Sequence, residues 1–349
     1  MTRRVLVTGG RGLLGNAVID DVLARGWHVS SLQRTPSGKA DGERVREVLG
    51  TVTDRGAVDS AIAGCDAVVH LAARVGIEGG WRDFESVNVE GTRVVLAAAE
   101  RASVSGFVQV SSPSVAHAGK PLVGAGADPA DPSTARGHYA RSKAMAERIA
   151  LDQSVVPVVA IRPHLVWGPG DTQLIGRIVQ RAKAGRLFLI GGGNALIDTT
   201  YIDNAASAIG AALDRIVESD NQSVRGRAFV VSNGEPRPVR DIINAIVRSA
   251  GLETGQRSVP FVPAYVVGGV VETALAPMLT RRGIEPPVTR FLVEQLATAH
   301  WFDQRGVREA LAWCPQVSLD EGMERLAGWY ASGVATAAEP QGRVETRHT

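Results

Sequence analysis

Arg3-Arg4-Val5-Leu6-Val7-Thr8-Gly9-Gly10-Arg11-Gly12-Leu13-Leu14-Gly15 decides the fold. Arg3 to Thr8 reads as a parallel strand buried on both faces. The glycines then turn the chain into a helix that runs to Arg25 and is closed by Gly26. Gly9, Gly12 and Gly15 meet three needs: a tight turn, the close approach of a pyrophosphate, and tight contact of helix on strand. Leu13 and Leu14 open the helix, where free backbone amides and partial positive charge suit that pyrophosphate. Glycine turns also occur in unrelated loops, but here a second strand, His28 to Leu32, completes the unit.

The tip of that second strand separates two cofactors. A ribose with two free hydroxyls normally meets an Asp or Glu there. This chain has Gln33 followed by Arg34. A carboxylate would repel a 2′-phosphate, whereas Arg34, helped by Arg11, attracts one and can hold it by paired hydrogen bonds. NADP(H) is therefore favoured, with NAD(H) as the alternative; in the bland reading Arg34 is a solvated charge at the start of a polar loop.

Further alternations extend an open parallel sheet. Val45 to Val52 reads as a third strand, Val58 to Ala63 as a short helix, and Ala67 to Leu71 as a fourth strand ending at Ala72-Ala73. The small residues there leave room for a cofactor lying across the sheet. Asn88 sits in a helix that continues through Ala99, and Gly106 to Val110 is a fifth strand delivering Ser111 and Ser112 to the carboxyl edge, where such sheets bind ligands. Val155 to Ile161 leads into Arg162-Pro163-His164-Leu165-Val166-Trp167-Gly168-Pro169. The fold class is α/β: a Rossmann-type doubly wound parallel sheet with a smaller, mostly C-terminal substrate domain. The dinucleotide-binding domain is expected over 1–170, completed by about 198–250; 171–197 and 251–330 form the substrate domain, and 331–349 is expected to be a disordered tail.

Tyr139-Ala-Arg-Ser-Lys143 lies in a predicted helix. Residues four apart share a helix face, so the phenol stands beside an ammonium. A neighbouring cation favours the phenolate, and a phenol tuned in that way exchanges a proton with a carbinol oxygen at neutral pH. The spacing alone is weak; its neighbours give it weight.

Composition narrows the function. Aromatic content of only 5% argues against stacking platforms for bases, and 38 basic against 36 acidic residues leave no polyanion-binding surface. Nucleic acid is therefore excluded as a partner. Cys65 and Cys314 are far apart and read as two buried thiols in a reducing compartment. Metal-ligand spacing is absent, so no metal is expected. The chain opens directly into a strand, so a cytoplasmic location is expected. Pro260 to Leu279 is apolar, but Glu272, Gly268-Gly269 and two prolines interrupt it, which makes a bilayer span a poor reading. It reads better as an apolar wall over a substrate cavity, with core or subunit interface as the alternative and lipid-surface attachment as a minor one.

Five motifs in order resemble the extended short-chain dehydrogenase/reductase superfamily over about residues 3 to 330: TGGRGLLG at Thr8 to Gly15, HLAA at His70 to Ala73, NVEGT at Asn88 to Thr92, SSPSV at Ser111 to Val115, and YARSK at Tyr139 to Lys143. The resemblance implies that Gly9, Gly12 and Gly15 hold the pyrophosphate. It implies that Tyr139 is the acid/base, that Lys143 holds the nicotinamide ribose and lowers the Tyr139 pKa, and that Ser112 orients the substrate oxygen, with Ser111 and Ser114 as rival hydroxyls. Leu71, Ala72, Ala73 and Asn88 would frame the cofactor, and the backbone of Pro163, Leu165 and Val166 would run beside the carboxamide. One departure is Gly50-Thr51 where the family often has an Asp after the glycine, so adenine is expected on the Thr51-Val52 backbone.

The second half resembles the 3β-hydroxysteroid dehydrogenase branch, through RPHLVWGPGD at Arg162 to Asp171, DTTYIDNAASA at Asp198 to Ala208, PPVTR at Pro286 to Arg290 and HWFD at His300 to Asp303. Sterol-4-carboxylate 3-dehydrogenases and bacterial 2-alkyl-3-oxoalkanoate reductases of olefin synthesis share these features; the latter look closer. Both imply a 3-oxo or 3-hydroxy group beta to a carboxylate on a large apolar body, with a homodimer and peripheral membrane or pathway-enzyme association as further expectations. His164 reads chiefly as a structural imidazole and secondarily as a contact to substrate carboxylate or cofactor. Arg281, Arg282 and Arg290 are candidates for the diphosphate of a nucleotide sugar or for a fatty carboxylate, and Asp203 and Asn204 read as helix caps. A nucleotide-sugar epimerase or dehydratase, and a non-catalytic NADP(H) sensor, are the alternative classes.

Overall fold

The computed structural model describes residues 3–76, 79–116, 120–255, 257–275 and 289–333. In chain order its first half runs β1 (Arg4–Thr8), α1 (Leu13–Ala24), β2 (His28–Gln33), β3 (Val45–Leu49), α2 (Arg55–Ile62), β4 (Ala67–His70), α3 (Trp81–Phe84), a π-helical stretch Glu85–Glu90, α4 (Gly91–Arg101), β5 (Gly106–Val110), β6 (Leu122–Ala125), α5 (Gly137–Gln153) and β7 (Val158–Pro163). It continues with β8 (Val166–Trp167), α6 (Ile175–Lys183), β9 (Phe188–Ile190), β10 (Leu196–Ile197), β11 (Thr200–Tyr201), α7 (Ile202–Ile216), β12 (Ala228–Val231), β13 (Arg237–Pro238), α8 (Val239–Ser249), β14 (Arg257–Val259), α9 (Phe261–Val270), α10 (Arg290–Ala297), β15 (His300–Phe302), α11 (Arg305–Leu311) and α12 (Leu319–Ala331).

Seven strands form the central sheet in the order β12-β7-β5-β4-β1-β2-β3, every pairing parallel. The chain winds one way from β1 to β3 and the other way from β4 to β12. The crevice between the carboxyl ends of β1 and β4 is therefore the switch point where such sheets take a ligand. Alternate residues feed opposite faces: Val5 and Val7 join a core with Val18, Ile19, Ile209 and Leu213 from α1 and α7, while Leu6, Val68 and Phe107 join one with Val58, Val95 and Ile149 from α2, α4 and α5.

A third apolar cluster lies apart from the two that sandwich the central sheet. Ile175 and Val179 of α6, Ile242 and Ile246 of α8, and Leu319 and Leu326 of α12 pack with Trp167 and Tyr201. A smaller sheet, β13-β10-β15-β6, lies beside it. Among the described residues no helix is long and apolar enough to cross a membrane. Helix α9 buries Ala264, Gly268 and Gly269 and exposes Val262, Val266, Val267 and Val270; residues 276–279 of the apolar segment lie outside the described residues, as do Arg281, Arg282, Pro286 to Val288 and 334–349.

Two sequence expectations change here. Cys65 is buried, but Cys314 is exposed, two residues after the left-handed turn at Ala312 (φ 47°) that ends α11. Asp203 and Asn204 are not caps: Tyr201 is the N-cap of α7 and both residues lie inside its first turn. Asn204 is instead a buried clamp, its Oδ1 accepting the N–H of Gln316 and Val317 and its Nδ2 donating to Val317 O and Asn233 Oδ1. Asp203 pairs with Arg325 on the surface.

Candidate active site

The glycine turn fits a dinucleotide pyrophosphate. Gly9 turns the chain in the left-handed region (φ 76°) that favours glycine. A Cβ on Gly15 would overlap the Gly9 carbonyl oxygen, so helix and turn can pack only without it. Gly12 caps α1 with extended backbone and no side-chain bond to the helix, and a Cβ there would meet nothing nearer than 3.4 Å. Space is therefore kept above the free amides of Leu13 and Leu14 for an approaching anion. Gly10, which the sequence reading passed over, is equally required: a Cβ on it would overlap Ser31 Oγ and stand 2.7 Å from Ile19 Cδ1.

At the tip of β2, Gln33 is buried and donates to Glu47 Oε1 at 2.7 Å. Its amide is thus held against β3, and the exposed residue at the tip is Arg34. Arg11 donates to Thr35 Oγ1, which draws a second guanidinium to the same edge. Glu47 also accepts from the Ser37 amide at 3.0 Å, so its carboxylate is engaged by its neighbours. Thr51 is exposed while Val52 is core, packed beneath Gly91, where a Cβ would meet Val52 Cγ2 at 2.6 Å. Leu71, Ala72 and Ala73 follow β4 partly exposed, and Gly9 lies against Ala72. At the end of β7 Pro163 pairs with Val231, and in β8 Val166 pairs with Thr200. Between them Leu165 adopts φ 44°, costly for a residue with a Cβ. Thr200 holds this bend from both sides, its N–H on Leu165 O (3.2 Å) and its hydroxyl on His164 O (2.6 Å).

Ser112, Tyr139 and Lys143 converge beside β5. Ser112 caps the short turn Pro113–Val115 and lies 3.0 Å from Ser114 Oγ. Ser111, its rival, is buried just past the end of β5. Burial raises the Tyr139 phenol above its ordinary value, and the Ser112 hydroxyl pulls it back down, although an edge of the ring remains accessible. Lys143 is buried and donates to Val110 O at 2.6 Å. Burial lowers it to about 8, partly opposed by the charge of Glu147. The expectation that Lys143 lowers the Tyr139 pKa is thus corrected. The ammonium is turned onto the end of β5, and the desolvation that empties water from this corner disfavours both charged forms.

Sequence spacing missed the scaffold behind these groups. Thr92 Oγ1 donates to Asn88 O at 2.7 Å, so its lone pair accepts from His70 Nε2 at 3.1 Å. His70 is therefore the Nε2-protonated tautomer, and its Nδ1 accepts from Thr8 Oγ1 at 2.7 Å. Thr8 in turn accepts the Ala72 N–H at 3.1 Å. Asn88 donates to Ser142 Oγ at 2.8 Å, and Ser142 donates to Tyr139 O at 2.9 Å. A buried chain of hydrogen bonds thus links the strand before the glycine turn to the helix carrying Tyr139. Burial, with the charge of Lys143, pushes His70 down to about 3, so the ring is neutral.

A buried ion pair and a buried histidine–carboxylate hydrogen bond flank the site. Glu147, one turn beyond Lys143, receives Arg162 Nε at 2.9 Å and Nη2 at 2.5 Å, and both side chains are 1% exposed. His164 Nδ1 lies 2.7 Å from Asp198 Oδ1, whose second oxygen accepts from Ser232 Oγ and Phe302 N. His164 is thus the structural imidazole, tied into the joint between β7 and β15. Among the described residues no cluster of His, Cys, Asp or Glu has the makings of a metal site.

Comparison with known proteins agrees with this geometry. The description "3-beta hydroxysteroid dehydrogenase/isomerase family" matches residues 6–261. A 2-alkyl-3-oxoalkanoate reductase of Stenotrophomonas maltophilia is 39% identical over 327 residues, covering 93% of this chain and 98% of the relative. A 3-beta-hydroxysteroid dehydrogenase of Mycolicibacterium neoaurum is 30% identical over 97% of this chain and 95% of the relative. Among solved structures, UDP-glucuronic acid 4-epimerase of Bacillus cereus in complex with NAD superposes with a TM-score of 0.70 over 94% of this chain and 99% of that one, at 20% identity. That last likeness concerns the fold alone.

Proposed function

The chain belongs to the 3-beta hydroxysteroid dehydrogenase/isomerase family and is a nicotinamide-dependent dehydrogenase/reductase, and on that premise we propose that it interconverts a 3-oxo and a 3-hydroxy group on a large apolar β-oxo acid, with NADP(H). The best-supported substrates are 2-alkyl-3-oxoalkanoates. The relatives of that name are 35–39% identical to this chain, against 26–30% for those named for sterols. The observation that carries the chemistry is the Ser112 hydroxyl acting on the Tyr139 phenol, one helical turn from a buried Lys143.

When bound, the nicotinamide supplies or accepts the hydride. Tyr139 gives a proton to the C3 oxygen as charge develops there, and Ser112 donates a hydrogen bond to the same oxygen. Lys143 would hold the cofactor ribose and keeps a positive charge nearby, so the stabilisation is preorganised. In the oxidative direction Tyr139 takes the proton back. Gly9, Gly12 and Gly15 with the amides of Leu13 and Leu14 would hold the pyrophosphate. Leu71 to Ala73, Thr51 and Val52 would border adenine and ribose, and Pro163, Leu165 and Val166 the carboxamide. Arg34 and Arg11, with the Glu47 carboxylate engaged by Gln33 and Ser37, support a 2′-phosphate. The apolar residues of α6, α8, α9 and α10 support a lipid-like body in the second lobe.

The test is a substrate panel: oxidation of 2-alkyl-3-hydroxyalkanoates and 3-hydroxy-4-carboxysterols with NADP+, and NADPH consumption with 3-oxosteroids and UDP-sugars. Highest kcat/KM is expected on the alkyl hydroxy acids. Turnover of a UDP-sugar with no net change in NADPH would overturn the reading in favour of an epimerase.

A further inference from the structure

We propose that Ser114 is a positioning residue for the reaction: its hydroxyl donates to Ser112 Oγ and so turns the single Ser112 proton onto the substrate oxygen. The inference rests on the roles given above to Ser112 and Tyr139, and deepens them.

A serine hydroxyl has one proton to give and two lone pairs with which to accept. In the reaction above the Ser112 proton goes to the C3 oxygen as charge develops there. The Ser114 N–H, at 3.3 Å, takes one lone pair, and by that bond Ser112 caps the turn Pro113–Val115. Ser114 Oγ stands 3.0 Å from the same atom. With the Ser112 proton on the substrate, this second contact is a hydrogen bond only if Ser114 supplies the proton. The opposite direction, Ser112 giving to Ser114, would take from the substrate oxygen the donor it needs. Among the described residues Ser114 Oγ has no hydrogen-bond partner besides Ser112, so no other described group competes for its proton. A hydroxyl that accepts in this way is also the stronger donor, because hydrogen bonds in a chain polarise one another.

The turn holds this geometry in place. Ser112 is extended (φ −153°, ψ 146°), and Pro113 opens the turn with a ring that fixes its own φ. The Val115 N–H bonds Ser112 O and the Ala116 N–H bonds Pro113 O, each at 3.2 Å. Val115 is fully buried in a cluster with Ala130 and Ala144, and its carbonyl accepts the Asp131 N–H at 2.9 Å. Ala144 follows Lys143, so the turn that carries Ser112 and Ser114 is packed onto the helix that carries Tyr139. Ser114 is only partly buried, and trimming its hydroxyl leaves this packing in place.

The experiment is a double-mutant cycle on the single-turnover rate of hydride transfer, with the best substrate of the panel above. It uses wild type, Ser114→Ala, Ser112→Ala and the double variant, with Ser114→Thr as the variant that keeps the hydroxyl. In S114A the rate is expected to fall about 3- to 10-fold, the effect of one neutral hydrogen bond. NADPH affinity and melting temperature should stay at wild-type values, and S114T should keep the rate within about twofold of wild type, less than the loss of that bond. In the S112A background the same Ser114→Ala change should have no effect, because Ser114 acts only through Ser112. General loosening of the site would not produce that silence. A rate in S114A within about 1.5-fold of wild type, below the effect of a hydrogen bond, overturns the assignment. So does an equal fall in both backgrounds, which would make Ser114 a contact of substrate or cofactor in its own right, or a prop of the turn. Both results leave the roles of Ser112 and Tyr139 standing. A wild-type rate in S112A overturns the role of Ser112 and this inference with it.

Discussion

Replacing Glu147 by Gln would leave a guanidinium charged and half-bonded in the interior. Both side chains of the Glu147–Arg162 pair are 1% exposed, and Arg162 spends two of its three observed hydrogen bonds on the carboxylate; only the bond from Nη1 to Asp128 O at 2.8 Å is independent of it. Breaking such a pair on one side costs about 3–5 kcal/mol. Gln retains one acceptor for the fork, so the expected loss is near the lower end, about 3 kcal/mol. The assay is the urea midpoint at constant slope, read by circular dichroism without cofactor. A second readout comes from Lys143, which burial lowers and Glu147 partly restores. Without that charge its pKa falls below about 8, and the alkaline decline of kcat/KM for the cofactor, which reports the free enzyme, moves to lower pH. Replacing both partners, Glu147→Leu with Arg162→Met, should recover most of the stability. A loss under about 1 kcal/mol in E147Q, well short of a broken buried pair, together with an unmoved alkaline limb, would refute the reasoning.

Three further outcomes follow from single residues. Arg34→Ala should weaken NADPH binding about tenfold or more and leave NADH affinity unchanged, measured by fluorescence titration, since only the 2′-phosphate loses its charge-assisted partner; equal NADPH affinity would remove Arg34 from the cofactor site. His70 has its folded pKa pushed down from 6.5 to about 3. The unfolded chain therefore binds the extra proton first, and this group's contribution is complete above pH 6.5 and lost as pH falls towards 3. Its slope approaches about 1.4 kcal/mol per pH unit, and His70→Gln should flatten acid unfolding curves by that amount. Ala312 is exposed and left-handed at the end of α11 (φ 47°), so Ala312→Gly should stabilise the protein by about 0.5–1 kcal/mol in the same urea assay.

How much of this was legible depends on how far apart in sequence the cause and its effect lie. β1, the glycine turn and α1 were readable because apolar runs and helix-capping glycines act over neighbouring residues. The same holds for Tyr139 and Lys143, which one turn of α5 brings together. His70 gave no local signal: its partners Thr8 and Thr92 lie 62 and 22 residues away, and only the pairing of β4 with β1 puts them in reach. The clamp of Asn88 on the Arg74 backbone was invisible for the same reason, since it spans 14 residues. The ammonium expected to tune the phenol was legible as a neighbour but not as a direction. Which way Lys143 points depends on the end of β5, and what surrounds it decides whether burial or charge prevails. Asn204 resembled a cap because its residue type favours one; the loop at Gln316 and Val317, more than a hundred residues later, claimed it instead.

Single-turnover reduction by Tyr139→Phe tests the central claim most directly, with NADPH preloaded and its loss of absorbance followed after a 2-alkyl-3-oxo acid is added. The account predicts wild-type NADPH affinity and a hydride-transfer rate lower by about a hundredfold or more, as befits loss of a positioned proton donor. A rate within about tenfold of wild type, below that range, would contradict it and move the proton chemistry to another group.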